Sequence, residues 1–171
     1  MNNKIEILFL GEGNFSFSSS IVQKISLQDS NFCFSNIWSS CYESDDTKNL
    51  INQANSKACT LKQQNVNYLK SKGCHVLEGL DAENLETDQR ISDLKFSKII
   101  FMFPHVGGKM KINRNRKLLL NVIKSCRRMI DEDGEIVVTL ARGQGAEFQR
   151  RFFEDFGAPN LSFDFRFVFV Q

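Results

Sequence analysis

Short apolar runs that end on turn residues alternate along this chain with longer stretches of helical periodicity. That alternation restricts the fold more than any other feature. The first run, residues 5–10, is mostly apolar and stops at Gly11-Glu12-Gly13-Asn14. A run of that length suits a buried strand and is too short for a helix. Residues 16–27 then carry Phe17, Ile21, Val22 and Ile25 near helical spacing, with Asn14 or Ser16 as the cap. Further strands are predicted over 32–42 (ending near Cys41), 75–78, 97–103, 135–140 and 161–170. Helices are predicted over 45–70, stopped by Gly73, over 114–130 and over 146–156. The helix over 114–130 has Leu118, Leu119, Val122, Ile123, Cys126 and Ile130 at helical spacing. Residues 81–93 read as a polar connection, and Asp133-Gly134 and Pro159-Asn160 as turns. Strands that alternate with helices pair in parallel through right-handed crossovers. The expected fold is therefore α/β, with a twisted, mostly parallel sheet in a single domain over residues 1–171.

Composition narrows the function classes. A chain of 171 residues is large enough to bury about two-thirds of its unfolded surface without a disulfide or metal staple. A net charge of +2 makes no global case for nucleic acid, so any such case rests on a local patch. The five Cys are odd in number and none are paired as C-x-x-C, and only His75 and His105 are available beside them, so no metal site is expected. No apolar run approaches the roughly 18 residues of a membrane span. The first apolar stretch runs straight into Gly-Glu-Gly with no small-residue cleavage site. The expectation is an intracellular, non-secreted protein with reduced thiols and no membrane partner.

In parallel α/β sheets, ligands sit at the carboxyl ends of the strands. After the first strand, Gly11 and Gly13 allow close backbone approach, and Ser16 stands where a dinucleotide fingerprint has its third glycine. Glu12 between them repels a pyrophosphate and suits a cationic ligand, which points away from NAD and toward a sulfonium such as S-adenosylmethionine. After the second strand, Glu43 is placed to accept two ribose hydroxyls, while Asp45 and Asp46 read as helix caps. After the third, Asp81 is either a loop carboxylate or an acceptor for an adenine amino group. After the fourth come Phe103, Pro104 and His105, followed by Gly107-Gly108, a rigid turn into a flexible loop that can meet a planar substrate. Lys109, Lys111, Arg114, Arg116 and Lys117 place five cations in nine residues beside that loop, a pattern that suits phosphates or else a solvated face. Arg142 adds a cation at the second glycine loop, after the fifth strand.

The segments GEGNFSFSSSI, SSCYES, GLDAENL, IIFMFPHVGGK, NRKLLL and GEIVVTLARGQG together resemble the Rossmann-like domain of eukaryotic rRNA (uridine-N(3))-methyltransferases. The ARGQG ending is similar to that domain in proteins that carry a ferredoxin-fold anticodon-binding domain. The resemblance covers about residues 5–145. It implies a Rossmann-like S-adenosylmethionine-dependent methyltransferase fold acting on RNA, with rRNA as substrate, in the nucleolus or cytoplasm. It implies that Gly11, Glu12, Gly13 and Asn14 lie against the methionine part of the cofactor, Glu43 on the ribose and Asp81 on the adenine. Phe103, Pro104 and His105 would face the target base, with Phe15 or Phe103 stacking on it and His105 orienting it or accepting its proton.

Two departures support an alternative reading. Met102 stands where the family often has Asn, and one strand follows the fifth where such enzymes carry an antiparallel pair, so the C-terminal strand pair reads as incomplete. The alternative is a catalytically degenerate module on the same fold that binds RNA or a partner protein. A nucleotide-dependent oxidoreductase is opposed by Glu12 and the missing third glycine.

Overall fold

The computed structural model of the chain describes residues 5–43, 56–104, 112–141 and 164–170. The chain packs as two compact units, Met1–Leu80 and Asp81–Gln171, and the described residues of each hold three strands. The fold is Rossmann-like α/β, and every strand pairing within the two units is parallel.

In the first unit the order is β1 (Ile7–Leu10), α1 (Ser16–Gln28), a 3-10 turn (Phe34–Asn36), β2 (Ile37–Cys41), α2 (Ser56–Ser71) and β3 (His75–Glu78). β2 lies between β1 and β3, with Ile7 opposite Ile37 and Trp38 opposite His75. Leu8, Phe9 and Leu10 are consecutive and all buried, as a strand covered on both faces requires, and Ile37 beside them is wholly buried. The expected second strand is shorter than its apolar pattern, because Phe34–Asn36 winds into the 3-10 turn and Phe32 and Phe34 pack on each other at 5.1 Å. α1 also turns differently from its pattern. Its buried residues are Ser18, Ser19 and Val22, small side chains that permit close packing, while Phe17 is half-buried with its ring edge-on to Phe9 at 5.7 Å. At the start of the strands, His75 stacks on Trp38 at 3.8 Å and the Trp38 indole N–H donates to buried Glu6.

In the second unit a 3-10 stretch (Ala82–Thr87) precedes β4 (Phe96–Met102), α3 (Ile112–Met129), β5 (Ile130–Ala141) and β6 (Asp164–Val170). β5 pairs with β4 on one side and β6 on the other. Leu119, Val122, Ile123, Cys126 and Met129 are buried along one stripe of α3, the 3.6-residue period expected of a helix laid on a sheet. The predicted turn at Asp133-Gly134 is instead the irregular part of one long strand. Phe96 pairs with Ile130 but Lys98 pairs with Glu135, so extra residues of β5 loop out opposite β4. Gly134 fits there because a Cβ would lie 2.6 Å from Ile130 Cγ1 and 3.0 Å from the Asp131 carbonyl oxygen. β6 lies parallel to β5, so the described strand after β5 is not one of an antiparallel pair. The helix predicted over 146–156 lies outside the described residues, as do Asp45 and Asp46. Among the described residues no helix is long and apolar enough to cross a membrane.

Candidate active site

The loop after β1 is held by its own backbone before any ligand is considered. The Glu12 N–H donates to the Ser40 carbonyl at 2.8 Å, which ties the loop to β2, and Gly11 takes a positive φ of 69°. Phe15 stands at the N-cap of α1 with φ 58° and ψ 22° and has no side chain able to cap the helix. Asn14, one residue before it, meets the first helical N–H: its Oδ1 accepts from the Ser16 N–H at 3.1 Å, and its carbonyl accepts from Asn65 Nδ2 at 2.8 Å. Glu12 reaches across to the same turn. One carboxylate oxygen accepts from the Ser18 N–H at 3.1 Å and from Ser18 Oγ at 3.0 Å. One orphan donor, the Ser18 N–H, and the positive dipole end of α1 are thus met by the chain's own carboxylate. Glu12 is buried, and burial raises its pKa to about 7, with the Ser18 bonds acting in the opposite direction.

Glu12, expected to lie against the methionine part of a cofactor, turns its carboxylate toward Ser18 and is 6% exposed. Phe15, expected to be able to stack on a base, is wholly buried, with Lys62 Nζ 5.5 Å from its ring centroid, and no base can reach it. Gly13 is different. A Cβ built there would meet nothing within 4 Å, so the space above this backbone is not used by the protein's own packing.

The ends of β2 and β3 are joined by a buried cation. Lys62 on α2 places its ammonium 2.7 Å from Glu78 Oε2 and 3.4 Å from Cys41 Sγ. The Cys41 thiol donates to the Glu43 carbonyl at 3.0 Å, and the Leu80 N–H donates to the Cys41 carbonyl at 3.0 Å. Burial raises the Cys41 pKa despite the nearby ammonium, so the thiol keeps the proton it donates. Glu43 itself is exposed. Lys62 is not among the residues expected from sequence, where its only signal is a lysine inside a polar helix. What makes it matter is burial among Phe15, Cys41 and Glu78, and those partners come from separate elements.

In the second unit, Asp81 caps the 3-10 stretch: Oδ1 accepts from the Glu83 N–H at 2.9 Å and Oδ2 from Asn84 Nδ2 at 2.8 Å. A carboxylate has further lone pairs, so this role leaves acceptor capacity. At the end of β4, Phe103 takes a positive φ of 50° and its N–H donates to the Thr139 carbonyl at 2.9 Å. A bulky residue in the left-handed region is uncommon and marks a conformation imposed by its surroundings. The result is a ring that stands 45% exposed beyond the strand end, followed by a buried Pro104. Arg114 and Lys117 are exposed in the first turns of α3, and Arg116 is half-buried. His105, Lys109, Lys111 and Arg142 lie outside the described residues.

Residues 8–166 match the family described as BMT5-like, rRNA (uridine-N3-)-methyltransferase BTM5-like. The chain belongs to the BMT5-like family. Among curated relatives, human ferredoxin-fold anticodon-binding domain-containing protein 1 is 30% identical over 139 residues, which is 81% of this chain and 20% of the human protein. Its mouse homologue is 31% identical over the same share of each chain. The BMT5-like chain therefore spans about a fifth of the length of these two relatives. Among solved structures, that of BdcA (YjgI) from E. coli superposes with a TM-score of 0.52 at 14% identity, covering 96% of this chain and 82% of that one. At that identity the likeness speaks for the fold alone, and it agrees with the Rossmann-like arrangement described above.

Proposed function

We propose that this protein is an S-adenosylmethionine-dependent RNA methyltransferase that methylates a uridine ring nitrogen in rRNA, inside the cell, in the nucleolus or cytoplasm. The observation that carries the reading is the family match over residues 8–166. The loop after β1 supports the cofactor class. Glu12 already fills the N-terminus of α1, the position where nucleotide-binding folds receive a phosphate, and it occupies the Ser18 donors that a phosphate would need. A cationic ligand over Gly11 and Gly13 does not compete for those donors, and the open space above Gly13 gives it room.

In this reading Gly11, Gly13 and Asn14 hold the methionine part, Glu12 supplies negative potential from beneath the loop, Glu43 accepts the ribose hydroxyls and Asp81 accepts from the adenine. The cofactor, when bound, supplies an electrophilic methyl group on a positively charged sulfur. The chain's own contribution is position and proton handling. The imide proton of uracil must leave as the ring nitrogen gains the methyl, and His105 is the residue that orients the base or takes that proton. Phe103 presents an exposed ring at the end of β4 on which the unstacked base can rest, a contact worth about 1–3 kcal/mol per base. Fixing the base and methyl in near-attack geometry supplies several kcal/mol of the barrier reduction.

Two measurements test the proposal. Calorimetry with S-adenosylmethionine is expected to show binding, and methyl transfer to total RNA is expected to label uridine. Met102 on β4, in place of the Asn common in the family, favours a second reading, a binding module without turnover. Cofactor or RNA binding without any transfer supports that module and overturns the enzyme.

A further inference from the structure

We propose that one face of α3 is a track for the phosphate backbone of a single RNA strand, running along the length of the helix. Arg114, Lys117, Asn121, Lys124 and Arg128 follow steps of three and four residues, which places them on one face. Together with Glu83 they line a groove of about 660 Å³ between α3 and the 82–87 stretch. The four cations are exposed, and the core stripe of α3 occupies a different side of the helix. Arg116, in the same cationic run of the sequence, does not line the groove.

The wall opposite the helix is fixed by internal bonds. Asn121 Nδ2 donates to Glu83 Oε1 at 2.7 Å, and Ser125 Oγ donates to Glu86 at 3.0 Å while accepting from the Leu85 N–H at 2.8 Å. Arg128 pairs with Glu86. The two carboxylates are thus engaged with the helix, and the groove lining itself holds four cationic side chains and one carboxylate, Glu83. Arg114 and Lys117 have no ion-pair partner among the described residues.

From Arg114 to Arg128 the helix rises about 21 Å at roughly 1.5 Å per residue. A stacked strand places a phosphate about every 3.4 Å, so the track spans about six nucleotides. The inference rests on the RNA-substrate reading above and adds to it the path taken by the nucleotides flanking the target base.

The test is binding of a labelled single-stranded RNA of twelve nucleotides, followed by anisotropy over a salt series, with thermal melting to verify folding of each variant. Lys117→Gln with Lys124→Gln is expected to reduce the slope of log affinity against log salt by about 1.4, at roughly 0.7 per contact. Lys24→Gln with Lys72→Gln, the same change in net charge elsewhere, is expected to leave the slope unchanged. Parent affinity is expected to rise with RNA length and level off near six nucleotides. If the parent binds RNA but the groove variant keeps the parental slope, the track is wrong and the RNA reading stands. If the parent binds no RNA at low salt, both fall. Tighter binding of poly-glutamate than of RNA overturns the proposal in favour of an acidic protein partner.

Discussion

The Glu12 carboxylate holds both the backbone N–H and the hydroxyl of Ser18, at 3.1 and 3.0 Å, so the first turn of α1 is capped from within the glycine loop that precedes it. A buried acid in that position couples the loop to pH. Burial raises its pKa from 4.5 to about 7, so the folded state holds the proton over a range in which the unfolded chain has released it.

The contribution of Glu12 to stability is therefore complete below pH 4.5 and is lost as pH rises to about 7. The size is on the order of 3 kcal/mol, since each tenfold change in proton affinity between the folded and unfolded chain is worth about 1.4 kcal/mol. Urea unfolding of the parent at pH 5 and pH 8 is expected to differ by more than that of Glu12→Gln, whose amide does not titrate. Equal pH dependence in the two proteins would show that Glu12 is charged throughout.

Glu43→Ala is expected to weaken S-adenosylmethionine binding by about 1.5–3 kcal/mol, the range for a hydrogen bond to a charged group, with little change in stability because the side chain is exposed. Calorimetry reads the first and thermal melting the second. Unchanged affinity would remove Glu43 from the cofactor site.

Lys62→Met removes the ammonium between Glu78 and Cys41 and takes its close cation from a partly buried carboxylate. The expected loss is about 3 kcal/mol, the lower end of the range for breaking a buried pair, since Glu78 remains partly hydrated. Lys62→Met with Glu78→Leu is expected to recover most of it, because the carboxylate that lost its ammonium is removed as well. Denaturant melts of both variants decide the matter. Recovery that fails in the double variant would point to lost packing against Phe15 rather than to the charge.

Phe103→Ala is expected to weaken RNA binding by about 1–3 kcal/mol while cofactor affinity holds. His105→Ala is expected to reduce turnover by about 10²- to 10⁴-fold, again at constant cofactor affinity. Parallel assays of transfer and binding separate the two roles. Full transfer by His105→Ala would end its assignment as the proton acceptor.

Gly134→Ala is expected to destabilise the second unit by about 1–3 kcal/mol, as an added methyl would press on Ile130 Cγ1 and the Asp131 carbonyl. Gly13→Ala, where the space is open, is expected to leave stability nearly unchanged and to impair cofactor binding. The pair of melts separates a glycine required by packing from one that leaves room for a ligand.

Local pattern determined the elements. The strand His75–Glu78 and the helix ending at Met129 follow their predicted limits to within a residue or two, because hydrophobic period, helix stops and turn residues act over a few neighbours. Tertiary structure decided what the side chains do. Glu12 became a helix cap because Ser18, six residues on, swings back to it. Phe15 became core because Lys62 and its surroundings close over it. Lys62 acquired a role only once Cys41 and Glu78 were brought beside it. Asp133-Gly134, locally a turn, became part of a strand because the pairing between β4 and β5 continues to Phe96 and Ile130. The groove on α3 needed Glu83 and Asn121, 38 residues apart in the chain, to meet. Burial and electrostatic partnership depend on such distant contacts, which local sequence pattern does not encode.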